Sequence, residues 1–421
     1  MDIYSKNFSA NNMEKLEIGN CFRELKDLFF KIFVEGNKEK EDAFKKKGLV
    51  NILSPGRINI IGEHTDYNLG LSINTAINKY IFIAGYENKT DYVEVFSRYL
   101  NNSSKFSLEN ITFDKTTHWI NYIKGVLKEY IQHNHKINGF SMVVDSNQPI
   151  GAGVGSSASL EVGIAKFIEE LFNLKVDRKE MVKYCNSAEN NFVGVNCGLM
   201  DQFSVAYGKK NHIIYLNFKD LSYEYIPFDL KENLILVINS KEERNLANTE
   251  YNKRRQECND AVQLISKIVK NKNIKSLSDI RLDSLYELEN KIPEKLFKRV
   301  KHVVTENNRV LLSKEYLLKD DIEKLGQVLF ESHNSLRYDY EVSTEKLDYL
   351  VDEMSKIKGV YGGRLMGAGF GGSVISIIKK SKIDSITDII GNKFLKKFNV
   401  SPDFIECSFS DGTRRVKFED I

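Results

Sequence analysis

Apolar residues return at three- and four-residue steps over 20–48, where Phe22, Leu25, Leu28, Phe29, Ile32 and Phe33 form one stripe and predict a helical region. From Val50 to Leu100 the pattern changes to short β-branched and aromatic runs (NILS, INIIG, YIFIAGY, YVEVFS) broken by turn residues, which predicts antiparallel strands. A helix over 119–132 and a strand over 139–145 follow. A glycine-rich loop then opens a helix whose apolar positions are Leu160, Ile164, Phe167, Ile168 and Leu171. Another helix is predicted over 178–191, and strands at 212–217 and 233–238. The second half reads as more helical, with amphipathic stretches at 250–269, 281–289, 293–313, 320–332 and 344–356. It closes on a Gly-rich turn at 367–372, a strand at 373–378 and a further helix and strand. Strand-rich then helix-rich order, with few parallel βαβ repeats, predicts an α+β fold rather than a doubly wound one. We expect a division near 215, giving 1–215 and 216–421, with the last strand returning to the first part.

The length of 421 residues suits two domains. Sixty-one Lys+Arg against 58 Asp+Glu leave a net charge of +3, so bulk charge does not point to nucleic acid. The five cysteines (Cys21, Cys185, Cys197, Cys258, Cys407) are widely spaced, with no Cys-x-x-Cys pair. That argues against a disulfide framework or a zinc ribbon and fits a reducing compartment. The opening residues lack a signal-peptide core, and no apolar run reaches membrane-spanning length. A cytoplasmic protein with no membrane partner is expected, its oligomeric state left open.

Two segments carry candidate chemistry. In Pro149-Ile150-Gly151-Ala152-Gly153-Val154-Gly155-Ser156-Ser157-Ala158-Ser159 the alternate glycines let main-chain N–H groups approach an anion. The serines then sit at a helix start, where unpaired donors and the positive dipole end favour a phosphate chain. The loop lacks the lysine of a P-loop and the third glycine of a dinucleotide fingerprint. A plain capped turn is the alternative reading. A second loop, Gly367-Ala368-Gly369-Phe370-Gly371-Gly372, matches G-x-G-x-x-G, but GGRLM before it reads as a poor strand and a strand follows, so a hairpin turn or a loop approaching the site is favoured. The second segment, SPGRINIIGEHTDYNLG, sets Arg57, Glu63, His64, Asp66 and Tyr67 around an apolar strand. Carboxylates and an imidazole in a turn suit sugar hydroxyls. Glu63-His64-x-Asp66 lacks a fourth ligand and a recognised metal spacing. A charged hairpin turn is the bland alternative.

GRINIIGEHTDYNLG resembles the galactokinase signature, and PIGAGVGSSAS resembles the phosphate loop of the GHMP small-molecule kinases. CGLMDQF (197–203), SHNSLRYDYEVS (332–343) and GGRLMGAGFGG (362–372) extend the resemblance in family order over roughly residues 25–380. It implies a two-domain fold with the active site in the inter-domain cleft, and ATP-dependent phosphorylation of galactose at the C1 hydroxyl. Carried over, Asp201 matches the catalytic aspartate and Arg57 the arginine beside it. Glu63, His64, Asp66, Gly198 and Tyr251 match sugar-binding positions. Gly151, Gly153, Gly155, Ser156, Ser157 and Ala158 match the nucleotide loop, Trp119 and Tyr122 the adenine pocket, and Ser157 and Glu189 the Mg²⁺ ligands. Without the resemblance, Trp119 would read as core, Tyr251 as a helix-surface tyrosine, and Glu189 and Asp201 as helix-face acids. The chain departs from the family at Arg244, where histidine is usual, in the acidic residues around it, and at Leu365, Met366 and Ala368. Competing readings are a kinase for N-acetylgalactosamine, L-arabinose or galacturonate, and a non-catalytic galactose sensor. Glu63 favours a neutral C6 hydroxyl over a carboxylate, which it would repel. Residues up to about Leu16 read as an extension beyond the family start.

Overall fold

The computed structural model describes residues 10–149, 151–243, 247–270, 273–417 and 419. Ile150 of the glycine loop, Arg244 and most of the N-terminal extension lie outside the described residues. Helix α1 (Ala10–Phe29) runs through a π-helical turn (Phe30–Val34) towards α2 (Lys38–Lys47). Strands β1 (Val50–Ile61), β2 (Leu71–Glu87), β3 (Tyr92–Ser97) and β4 (Asn102–Ser107) precede α3 (Ile120–Gln132) and β5 (Phe140–Ser146). Next come α4 (Ser156–Phe172), α5 (Arg178–Ser187), α6 (Met200–Tyr207), β6 (His212–Asn217), β7 (Ser222–Pro227) and β8 (Asn233–Asn239). Helices α7 (Ala247–Ile268), α8 (Glu294–Leu318), α9 (Ile322–Tyr338) and α10 (Glu345–Met354) lead to β9 (Val360–Met366) and β10 (Ser373–Lys379). The chain closes with α11 (Ile383–Phe398), β11 (Asp403–Cys407) and β12 (Arg414–Arg415).

The strands form two sheets. The larger has the order β12-β1-β2-β5-β3-β4, with the β6–β7 hairpin also paired to β2; the smaller is β11-β8-β10-β9. β2 is long enough to pair twice along one edge, with β6 through Leu71–Asn74 and with β5 through Ile81–Glu87. The hairpin thus carries the larger sheet past residue 215, the expected point of division. This is the two-domain α+β architecture, not a doubly wound sheet.

Burial explains the arrangement. One face of the larger sheet packs on α3, α4 and α5 through Ile83, Val95, Met142, Ile123, Phe167 and Val182. Its opposite face is covered by α1 through Ile18, Phe22, Leu25 and Phe29 against Tyr80, Phe82 and Tyr86. A separate core joins the sheets, setting Ile58, Ile60, Ile61 and Ile77 of the first against Ile235, Val237, Met366 and Ile375 of the second. Because dense apolar packing resists deformation, this shared core fixes the floor of the cleft between the halves.

Two sequence expectations need correction. The 281–289 stretch is not an α-helix but two 3₁₀ turns, Leu282–Ser284 and Tyr286–Leu288. Leu282, Leu285 and Leu288 are three apart, a step that fits a 3₁₀ turn as well as an α-helix. GGRLM lies in a strand, β9. Gly362 serves packing: a Cβ on it would lie 2.3 Å from the Gly326 carbonyl oxygen, so helix α9 can approach the strand there only across glycine.

Candidate active site

The glycine loop leaves β5 and enters α4 with Gly151, Gly153 and Gly155 at φ of 71°, 69° and 77°. Glycine adopts this left-handed backbone without the steric cost a Cβ brings. Gly155 caps α4, leaving the N–H groups of the first turn free. The loop is tied from three directions. The Val154 carbonyl accepts the Arg57 N–H at 2.8 Å, the Ser373 hydroxyl donates to the Ala152 carbonyl at 2.8 Å, and the Ser159 hydroxyl donates to the Pro55 carbonyl at 2.7 Å.

Arg57 and Asp201 form a bidentate ion pair. Arg57 Nε donates to Asp201 Oδ1 at 2.6 Å and Nη2 donates to Oδ2, while Nη1 donates to the Gly153 carbonyl. The arginine is buried and the Asp201 side chain keeps 23% of its exposure. Fork-to-carboxylate geometry fixes both planes, so the carboxylate has a defined direction. Here β1, the loop and α6 meet.

Beyond β1 the chain makes a tight turn. Gly62 has φ 99° and His64, a non-glycine, φ 62°. Glu63, 2% exposed, accepts from the Gly367 N–H at 2.7 Å and from Arg364 Nη2 at 3.3 Å. Burial still holds its carboxyl above the ordinary range, against the pull of Arg364. Burial, reinforced by His302 and Arg254, pushes His64 down to about 3, so its imidazole is neutral. Its Nδ1 pairs with the Tyr67 hydroxyl at 2.8 Å, and that hydroxyl meets the Tyr340 hydroxyl at 2.7 Å. Asp66 is raised to about 7 by burial, opposed by the Tyr67 N–H and reinforced by the charges of Asp201 and Glu63. Gly198 lets Asp66 approach the α6 loop: a Cβ there would stand 1.9 Å from Asp66 Oδ2. Tyr251 covers this group, with ring centroids 5.6 Å from His64 and 5.3 Å from Tyr67.

Glu189 lies in the π-helical turn after α5 (Ala188–Val193) and is almost fully buried. It accepts from the Cys197 thiol at 3.0 Å and from Gln202 Nε2 at 2.6 Å. Burial raises it; the Ser157 hydroxyl is among the donors pulling it back. Two oxygen-bearing side chains, Ser157 and Glu189, thus stand together at the start of α4, a donor set that suits a hard cation completed by phosphate oxygens and water. Among the described residues, no cluster of three His, Cys, Asp or Glu has a geometry that could hold a metal.

Two cavities meet at the ion pair. One is lined by Arg57, Glu63, His64, Asp66, Glu189, Cys197, Gly198, Asp201, Tyr251, Gly367 and Ala368. The other is lined by Arg57, Pro149, Gly151, Gly153, Val154, Gly155, Ser156, Ser157, Asp201, Glu242 and Glu243. Arg57 and Asp201 belong to both. Ala158 is buried behind the loop. Trp119 and Tyr122 line neither cavity; Trp119, the N-cap of α3, and Tyr122, in its first turn, are half-buried against the core of the larger sheet. The Tyr122 hydroxyl lies near enough to Glu189 and Glu161 for those charges to add to its burial in raising its pKa.

Several residues that stand behind the site wall were not evident from sequence. Arg364 lies within GGRLMGAGFGG, whose sequence gives it no evident role. Tyr340 lies within SHNSLRYDYEVS and Gln202 within CGLMDQF. Glu306 and Cys258 carried no sequence signal; each lies on a helix with ordinary amphipathic spacing.

Family models match this architecture. The galactokinase galactose-binding signature covers residues 41–86, the GHMP kinases N terminal domain 121–209 and the GHMP kinases C terminal 313–397. The first match contains Arg57 through Asp66, and the second contains the glycine loop, Glu189 and Asp201. A galactokinase of Fusobacterium nucleatum is 41% identical over 387 residues, covering 90% of this chain and 98% of that one. One of Clostridium beijerinckii is 39% identical over 396 residues, covering 93% and 98%. The structure of Lactococcus lactis galactokinase complexed with galactose superposes with a TM-score of 0.87 at 29% identity, covering 94% of this chain and all of that one. Methanococcus jannaschii mevalonate kinase, at 20% identity and a TM-score of 0.60, shares the fold. With these matches spanning nearly its whole length, the chain belongs to the galactokinase family of the GHMP kinases.

Proposed function

We propose that the protein transfers the γ-phosphoryl group of ATP to the C1 hydroxyl of D-galactose, giving galactose 1-phosphate and ADP. The observation that carries this reading is the Arg57–Asp201 pair, which lies between a cavity with the acids and aromatics a sugar requires and a cavity with the main-chain donors a phosphate chain requires.

In the proposed reaction the C1 oxygen attacks the γ-phosphorus, the bond from that phosphorus to the bridging oxygen of ADP breaks, and the hydroxyl proton passes to Asp201. Phosphoryl transfer is chiefly a matter of positioning and charge neutralisation. Arg57 orients the Asp201 carboxylate and brings positive charge beside the transferring group. A positioned base contributes roughly 10²–10⁴-fold in rate. Glu63, His64, Asp66 and Tyr251 take the sugar hydroxyls, with Gly198 leaving room for Asp66. Gly151, Gly153, Gly155, Ser156, Ser157 and Ala158 cradle the phosphates. Trp119 and Tyr122, at the start of the helix packed against the turn that bears Glu189, are our assignment for the adenine wall. Ser157 and Glu189 would hold Mg²⁺, which when bound supplies charge neutralisation along the phosphate chain. We also place the reaction in the cytoplasm; no helix among the described residues is long and apolar enough to cross a membrane.

The test is a panel of galactose, N-acetylgalactosamine, L-arabinose and galacturonate with ATP, product position assigned by phosphorus NMR. Galactose 1-phosphate as the dominant product supports the proposal. Nucleotide hydrolysis that no sugar accelerates, or preference for another member of the panel, refutes it.

A further inference from the structure

The turn that carries Glu63 and His64 is held by side chains from the second half of the chain. Glu306, on α8 and fully buried, accepts the N–H groups of Gly62 at 3.0 Å and Glu63 at 3.3 Å, and the Ser332 hydroxyl at 2.8 Å, all on Oε1. Its other oxygen takes Arg309 Nε at 2.7 Å. Arg364, also fully buried, donates to the carbonyls of Asn59 and Ile60 at 2.7 Å each and reaches Glu63 Oε1 at 3.3 Å. His302 Nε2 lies 3.1 Å from the Glu63 carbonyl. Four of the five residues 59–63, all but Ile61, are therefore held by three side chains that lie 239 or more positions away.

Such a cluster is a poor way to gain stability. Desolvating buried ions costs about as much as their attraction returns, and apolar replacements are often as stable. Its geometry makes sense for another task. His64 stands in left-handed backbone, which persists only where the surroundings over-determine it. Two consecutive N–H groups directed at one fixed carboxylate oxygen supply that constraint.

We infer that Glu306 and Arg364 are positioning residues for the sugar: they set the turn from which Glu63 and His64 face the cavity, and they act on sugar recognition separately from the nucleotide loop. This rests on the sugar site proposed above. Glu306 has no path of its own to the substrate; it acts through the main chain of Gly62 and Glu63. The selectivity follows because the glycine loop makes its own hydrogen bonds with Arg57, Pro55 and Ser373 and none of these with Glu306 or Arg364.

The test is steady-state kinetics of Glu306→Gln, Arg364→Lys and Arg309→Lys beside the wild type. In Glu306→Gln the side chain keeps its size, but its amide must turn N–H against N–H on one side. We expect the galactose KM to rise about ten-fold or more, with the MgATP KM within about two-fold. Arg364→Lys loses the forked grip on Asn59 and Ile60 and should show the same split. Arg309→Lys keeps a cation on the oxygen facing away from the turn, so its galactose KM should stay within about two-fold even where its melting temperature falls. If Glu306→Gln does not fold, Ser332→Ala removes one donor from the same oxygen and should give a smaller rise confined to the sugar. Both KM values rising together, an unchanged galactose KM, or Arg309→Lys matching Glu306→Gln would each overturn the inference. A wild type that phosphorylates no galactose would instead remove the proposed function.

Discussion

Gly198→Ala puts the sugar cavity to a steric test. The added methyl would stand 1.9 Å from Asp66 Oδ2, 2.4 Å from its Cγ and 2.9 Å from its Cβ. Gly198 is not in left-handed backbone, so alanine brings no conformational penalty of its own. Nor can the loop easily retreat, because Asn186 Nδ2 holds the Gly198 carbonyl at 2.9 Å. Non-bonded atoms settle near 3.5 Å, so the carboxylate must swing away by about 1.5 Å. A displacement of about 1 Å at a reacting centre can cost about 10²-fold, and a hydroxyl left without its acceptor costs about 1–3 kcal/mol. Together these give an expected fall in kcat/KM for galactose of roughly 30- to 100-fold, or about 2.1–2.8 kcal/mol at about 1.4 kcal/mol per factor of ten. The MgATP KM should stay within about two-fold, since the glycine loop does not touch Gly198. The assay is coupled ADP release over a galactose series at saturating MgATP, with a thermal melt as the folding control. A folded variant whose kcat/KM stays within about three-fold of wild type would refute the placement of Asp66 against Gly198.

Asp201→Asn should lower kcat by at least about 10²-fold while galactose affinity, read by calorimetry, is nearly kept; wild-type turnover would sink its assignment as the base. Ser157→Ala should raise the Mg²⁺ concentration needed for half-maximal rate several-fold, and an unchanged Mg²⁺ titration would count against that hydroxyl as a ligand. Asp66, raised to about 7, is mostly protonated below that pH and mostly ionised above it. Because the ionised form accepts hydroxyl donors on both oxygens, the galactose KM should climb as pH falls from 8 to 6. The same profile in Asp66→Asn should be flat, and a slope retained there would assign the titration to another group.

The parts of the site that sequence made legible are those written contiguously. The Gly151–Ser159 loop and the Arg57–Asp66 turn each carry their geometry in a local order of glycines, serines and acids, and Asp201 sits in a compact motif. What stayed hidden depends on contacts between distant positions. Glu306 lies on an amphipathic helix whose spacing says only that one face is buried, and nothing in that spacing says its carboxylate meets the Gly62 N–H. Arg364 was obscured because the preceding glycines lower strand propensity, while the need for one of them, the contact of Gly362 with Gly326, arises only in the folded chain. The three-residue step of Leu282, Leu285 and Leu288 misled in another way, since it satisfies two helical geometries at once. The α+β order was readable because runs of strand and helix differ in period. Which strands pair was not, because β3 joins β5 in parallel across α3.

β12 has a consequence for how the molecule assembles. Its two residues lie against Ile52 and Leu53, and next to them the hydroxyls of Ser54 and Thr413 meet at 2.8 Å across 359 positions of chain. The border of the first sheet is therefore finished by a segment made long after the strand it covers. A nascent chain that has already collapsed around its early helices still presents an open row of β1 amides and carbonyls until that late segment arrives. Such a row invites pairing with the wrong neighbour. Refolding should accordingly contain a late, slow closure typical of very distant contacts, and shortening the chain before residue 413 should promote clumping during expression more than it disturbs the chemistry of the molecules that do mature.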